Sequence, residues 1–163
     1  MARDISAYFW ALLRLGLGWT FFWAFIDKLF GLGFGTASAK SWLAGNSPTM
    51  GFLSSAAKGP FAAVYNGIAG SAAVDWLFMM GLLLIGLSLL LGIGVKVAGY
   101  SGALMMMLMY FALLFPANNL FMDEHIIYAI ILVALANVRA GHVLGLGKYW
   151  AGTGIVKTYR FLE

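Results

Sequence analysis

Four stretches of this chain are apolar over the length of a bilayer, and that limits its fold more than any other feature. Val74–Leu91 holds the uncharged core LFMMGLLLIGLSLLL, and Val97–Phe115 carries no charge at all. Ile5–Leu29 and His125–Gly145 have the same apolar length, the first with Arg14 near its middle and the second interrupted by Arg139. A hydrocarbon core of about 30 Å takes roughly 20 apolar residues as a helix. The expected fold is all-α: one polytopic membrane four-helix bundle over residues 1–163, with spans at 5–29, 74–91, 97–115 and 125–145.

Composition agrees and excludes other classes. Hydrophobic residues make up 63% of the chain and charged ones 10%, against about 25% charged in a soluble domain. The net charge is +4, but the basic residues are scattered singly, so no nucleic acid partner is expected. Without cysteine the chain forms no disulfide, CxxC redox pair, thiolate metal site or persulfide. Ala37-Ser38-Ala39 resembles a signal-peptide cleavage site. The apolar run before it is too long, carries Arg14 and ends about ten residues early, so retention of the first span is expected.

The connections differ in kind. Gly92–Lys96 is a tight turn that makes the second and third spans antiparallel neighbours, and Gly81, Gly86, Gly99 and Gly102 permit close helix contact. Pro116-Ala117-Asn118-Asn119 stops the third span. Residues 31–71 form a connection of about forty residues, too long to lack structure. Ser47-Pro48 and Gly59-Pro60 mark starts of short helices within it, and Gly45 a stop. Trp42, Met50, Phe52, Phe61 and Tyr65 suit these pieces to the membrane interface. Arg3, Lys96, Arg139, Lys148, Lys157 and Arg160 fall on one side of the four spans. That side, with both termini, is expected to be cytoplasmic, and the long loop external.

Several ionisable groups then share the outer end: Asp27 and Lys28, Asp75, and Asp123, Glu124 and His125. Arg14 costs roughly 2.5–3.5 kcal/mol at mid-membrane and is expected to face the interior. Lys28 lies fourteen residues on, close to four whole turns, on one stripe with Gly18, Phe21 and Phe25. A polar pocket formed by Arg14 and Lys28 near Asp75 and His125 is the functional expectation. Solvated helix ends are the simpler alternative for the acids, and Asp123 and Glu124 suit a first helical turn. Two histidines at opposite ends of the fourth span give no metal or haem site. Met105, Met106, Met107 and Met109 point around the helix as packing.

With these residues in view, the chain resembles the DoxX/DoxD family of small four-helix membrane proteins. The likeness rests on Arg14-Leu15-Gly16-Leu17-Gly18, the FFWAFIDKLF end of the first span, Asp75 before a glycine-rich run to Gly94, and the closing MDEHIIYAIILVALANVRAGHVLGLGKYW. Phe25 stands where the family often has glycine. The resemblance implies a subunit of a thiosulfate:quinone oxidoreductase-like system. There Arg14 and Lys28 would hold an anion or a quinone carbonyl, between aromatic walls from Trp19, Phe22 and Trp23. The implied cofactor is a membrane quinone, and the partners are the lipid bilayer, a second oxidoreductase subunit and further copies of the chain. The competing expectation is a non-enzymatic scaffold or assembly factor for a redox or stress complex.

Topology is open to single-cysteine labelling, because the native chain has no cysteine. A cysteine at Ser47 should react with an impermeant reagent from outside, and one at Lys157 should be protected. The opposite pattern reverses the orientation.

Overall fold

The computed structural model describes residues 5–117 and 119–163, and every regular element among them is helical. Arg3 and Asn118, used above for orientation and as a helix stop, lie outside the described residues. The chain forms α1 (Ile5–Phe30), α2 (Ala62–Ile68), α3 (Ala72–Leu91), α4 (Val95–Ala112), α5 (Glu124–Asn137), α6 (Gly147–Ala151) and α7 (Gly154–Thr158). Three of these, α1, α3 and α4, are long and apolar enough to cross a membrane. Helix α1 packs on α3, α3 on α4 and α4 on α5, and α5 returns to touch α1. Leu17, Phe21, Met79, Ile85, Met106 and Leu132 meet in the core. The outer faces stay apolar too, with Leu77, Leu84, Leu104 and Ile130 exposed. Helices hydrophobic on every side occur in the core of a large protein or across a membrane, and exposed outer faces such as these suit a membrane.

Glycines set the closest approaches. A Cβ on Gly86 would lie 2.7 Å from Phe22 N, and one on Gly18 would lie 2.9 Å from Leu90 N, so α1 and α3 touch backbone to backbone. A Cβ on Gly99 would lie 2.5 Å from Leu132 O, which does the same for α4 and α5. At Gly81 the near neighbour is only the methyl of Met105, a side chain that can move aside.

The fourth expected span, 125–145, is not one helix. Helix α5 ends at Asn137, and its 14 residues cover about 21 Å. Beyond it Arg139 takes φ +26° and Leu144 φ +50°, around a 3-10 turn at Ala140–His142. Composition remains apolar there, but the carbonyls leave the helical direction because a side chain of α1 supplies their donors.

The long connection follows its start signals. Ser47 Oγ accepts the Met50 N–H at 3.0 Å as an N-cap, and a helical turn leads into a π-helical turn at Phe52–Ala56. Gly59-Pro60 opens a 3-10 turn that runs into α2.

Replacing Gly99 by alanine should lower the thermal unfolding temperature in detergent, at a cost of about 1–3 kcal/mol for overpacking. Gly16→Ala is the control, since nothing lies within 4 Å of its Cβ position. Equal stability of the two variants would refute the close α4–α5 approach.

Candidate functional site

Arg14 is fully buried, 0% exposed, so it does face the interior. Its partners are backbone. Nε donates to Ala140 O at 3.2 Å, and Nη1 donates to Leu89 O and, at 3.0 Å, to Leu90 O. Nη2 donates to Val143 O at 3.3 Å and Leu144 O at 2.7 Å. A guanidinium has five N–H donors, and here five carbonyls take them.

The acceptors explain the site. A helix leaves its last four carbonyls without intrahelical donors. At the end of α3, Ser88 O receives the N–H groups of Gly92 and Ile93, Leu89 O and Leu90 O receive Arg14, and Leu91 O receives Leu146 N at 2.8 Å. Every orphan carbonyl of α3 is thereby paired. The cation also sits at the negative end of the helix dipole. Glycines make room for it. A Cβ on Gly92 would lie 3.2 Å from Nη1 and one on Gly145 3.1 Å from Nη2, while one on Gly141 would collide with Gly92 O. Gly92 also needs its φ of +73° to end α3.

Of the ionisable residues expected to share a pocket with Arg14, the three aspartates are each tied locally. Asp27 accepts from Phe34 N at 3.2 Å and Gly35 N at 2.9 Å. Asp75 Oδ1 accepts from Ser47 Oγ at 2.8 Å, Thr49 Oγ1 at 2.5 Å and Thr49 N at 3.3 Å. Asp123 caps α5, with Oδ1 on His125 N and Ile126 N and Oδ2 2.8 Å from His125 Nδ1. Lys28 is half-buried and forms no ion pair among the described residues.

Arg14 does not join them. Fourteen residues of α1 separate it from Lys28, and fourteen of α3 separate its acceptor Leu89 from Asp75, about 21 Å in each case. The expected single pocket is therefore two separate ends. Nor do the tryptophans wall it. At about 100° per residue Lys28 lies about 40° from Arg14 around α1, but Trp19 and Trp23 lie about 140° and 180° away. They stack on each other at 5.6 Å on the outward side, Trp19 exposed and Trp23 against Phe34 at 5.2 Å.

The loop caps the other helix ends. Trp42 N and Leu43 N donate to Lys28 O and Leu29 O at the end of α1. At the end of α4, Lys58 N donates to Ala112 O at 2.8 Å, and one turn earlier the Tyr65 hydroxyl adds a second bond to Leu108 O at 2.7 Å. Burial pushes the Tyr65 phenol up from its ordinary value, which favours the neutral donor form. Residues missed from sequence are thus Thr49, Gly141, Gly145 and Leu146. The G-x-x-x-G-x-G run from Gly141 to Gly147 was the visible signal for the last three, and Thr49 had none.

Asp123, Glu124 and His125 place potential ligand atoms within 4.8 Å of one another, but Asp123 Oδ1 is committed to the cap and Oδ2 to His125 Nδ1. Two hollows remain. One of about 430 Å³ between α1 and α5 is lined by Phe9, Leu12, Leu13, Gly16, Leu17, Thr20, Tyr128 and Ile131. The other, of about 270 Å³, lies between the start of α1 and residues 138–143. Neither is lined by Lys28, Asp75 or His125. No family profile, characterised relative or solved structure matches this chain.

Removing the Arg14 donors should unfold the end they hold. Arg14→Leu leaves five carbonyls without their partner, and a buried unpaired group costs about 1–3 kcal/mol. A loss of at least about 3 kcal/mol is expected, with proteolytic cutting near residues 138–146. Arg14→Lys, with three donors, should fall between. A leucine variant as stable as the parent would overturn the clamp.

Proposed function

We propose that this chain is a multi-pass cell-membrane protein that acts as a non-enzymatic subunit, scaffolding or assembling a redox complex. Four crossings are formed by α1, α3, α4 and the combination of α5 with the irregular stretch after it. Non-helical backbone is tolerated at membrane depth where protein groups satisfy it, and Arg14 bonds Ala140, Val143 and Leu144 in that stretch. Both termini are cytoplasmic and residues 31–71 external, in keeping with the basic residues Lys96, Arg139, Lys148, Lys157 and Arg160 at one end. The observation that carries the functional reading is the use of Arg14: all five donors serve the chain's own backbone, and none is left for an anion or a quinone carbonyl.

One observation favours a second reading, a membrane subunit of a quinone-linked sulfur oxidoreductase of the thiosulfate:quinone type, as the DoxX/DoxD resemblance implies. The α1–α5 hollow is apolar and carries the hydroxyl-bearing Thr20 and Tyr128, which suits a ring with an isoprenoid tail. Bound there, a membrane quinone would accept two electrons and two protons. Oxidation of two thiosulfates to tetrathionate would belong to the second subunit. Thr20 already donates its hydroxyl to Gly16 O at 3.0 Å, so it could only accept from the quinol, and the donor to a quinone carbonyl would be the Tyr128 hydroxyl.

Gentle purification with native lipid, followed by native mass spectrometry, separates the two. The scaffold reading expects a partner protein at fixed stoichiometry, or further copies of this chain, and no quinone. One quinone per chain, with thiosulfate-dependent quinone reduction by the complex, would establish the second reading instead.

A further inference from the structure

The segment after α5 returns to the bundle and stops beside the α3–α4 turn. Leu146 N donates to Leu91 O at 2.8 Å, and a Cβ on Gly94 would lie 3.8 Å from Leu162 O. Trp150 Nε1 closes the segment by donating to Leu162 O at 2.7 Å, and Val156, 2% exposed, is its buried foot. Its depth is therefore fixed by the turn between two membrane-length helices, and such a turn marks a membrane surface.

What the segment leaves uncovered has a definite chemistry. Tyr149, Tyr159 and Phe161 are 80%, 54% and 59% exposed. Lys148, Lys157 and Arg160 are exposed between them and make no ion pair among the described residues. No acidic residue occurs from Val138 to Leu162. Glu163 is turned to Arg139 at 3.5 Å and to His142 Nε2 at 3.1 Å. Aromatic rings settle at the headgroup level, and basic side chains there are attracted to anionic lipid. From this juxtaposition we infer that residues 147–162 form an interfacial platform that binds the headgroups of anionic phospholipids in the adjacent leaflet. The rings enter the acyl boundary, and Lys148, Lys157 and Arg160 contact phosphate. This rests on the apolar helices crossing a bilayer and is independent of any redox role.

The full chain is placed in nanodiscs of phosphatidylcholine with phosphatidylglycerol, and the lipids it retains on release are counted by native mass spectrometry. Phosphatidylglycerol should be retained in preference, and the preference should fall as salt rises. Each basic residue near the surface is worth about fivefold, so K148Q/K157Q/R160Q together should reduce the preference on the order of a hundredfold. Nitroxides on Tyr149→Cys and Phe161→Cys, placed in a chain without other cysteines, should report headgroup depth. A preference insensitive both to salt and to the triple variant overturns the proposal. So do labels that stay in water, the result expected if a protein partner occupies this face. A chain that never enters the nanodisc overturns the membrane reading as well, and so is a separate failure.

Discussion

Backbone carbonyls at helix ends, which lack donors within their own helix, are the constraint on which this structure depends. Each helix leaves four of them, and each one buried without a partner costs about 1–3 kcal/mol. Arg14 answers that demand at the end of α3, and in the same step it holds the stretch that follows α5. One side chain from the middle of α1 thereby ties three parts of the chain together. It is mid-helix in its own element and end-of-helix in its neighbour's. That double position explains how a membrane-length segment carries an arginine at its centre.

The same demand accounts for the forty-residue connection. A bare turn between α1 and α3 would leave the ends of α1 and α4 open. The loop instead brings Trp42 N and Leu43 N to α1, and Lys58 N and the Tyr65 hydroxyl to α4. Asp75 pins the loop from below through Ser47 and Thr49, and Trp42 meets Trp76 edge to face at 4.7 Å. The carboxylate serves the fold twice, as a latch for the loop and as a negative charge in the first turn of α3. Polar residues that a sequence reader groups as a pocket are here distributed as separate fasteners.

Apolar length made α1, α3 and α4 legible, and the Ser47 cap and the Gly59-Pro60 start were readable from local chemistry alone. The burial of Arg14 followed from the cost of exposing it to lipid. Its partners did not, because a backbone carbonyl has no sequence signature and any residue can supply one. The end of α5 was hidden for a related reason. Val143, Leu144 and Leu146 continue the apolar pattern, and only the glycines at 141, 145 and 147 betray a backbone that leaves the helix to approach something closely. The tryptophans were a different kind of error. Their depth matched a pocket, but their angle around α1 placed them on the far side, and the 3.6-residue period carried that information from the start.

A saturated guanidinium also limits what chemistry can be built around it. An anion arriving at Arg14 would have to displace carbonyls of α3 and of residues 140–144, exposing each at about 1–3 kcal/mol. It would also have to enter between glycines whose Cβ positions are already within contact of neighbouring atoms. A bound anion gains charge-assisted hydrogen bonds, but here those donors would be taken from buried acceptors that have no alternative. Exchange is therefore unfavourable unless the end of α3 rearranges with it. Surfaces that stay unfilled among the described residues lie elsewhere: the apolar hollow beside Gly16, and the exposed aromatic and basic side chains after α5.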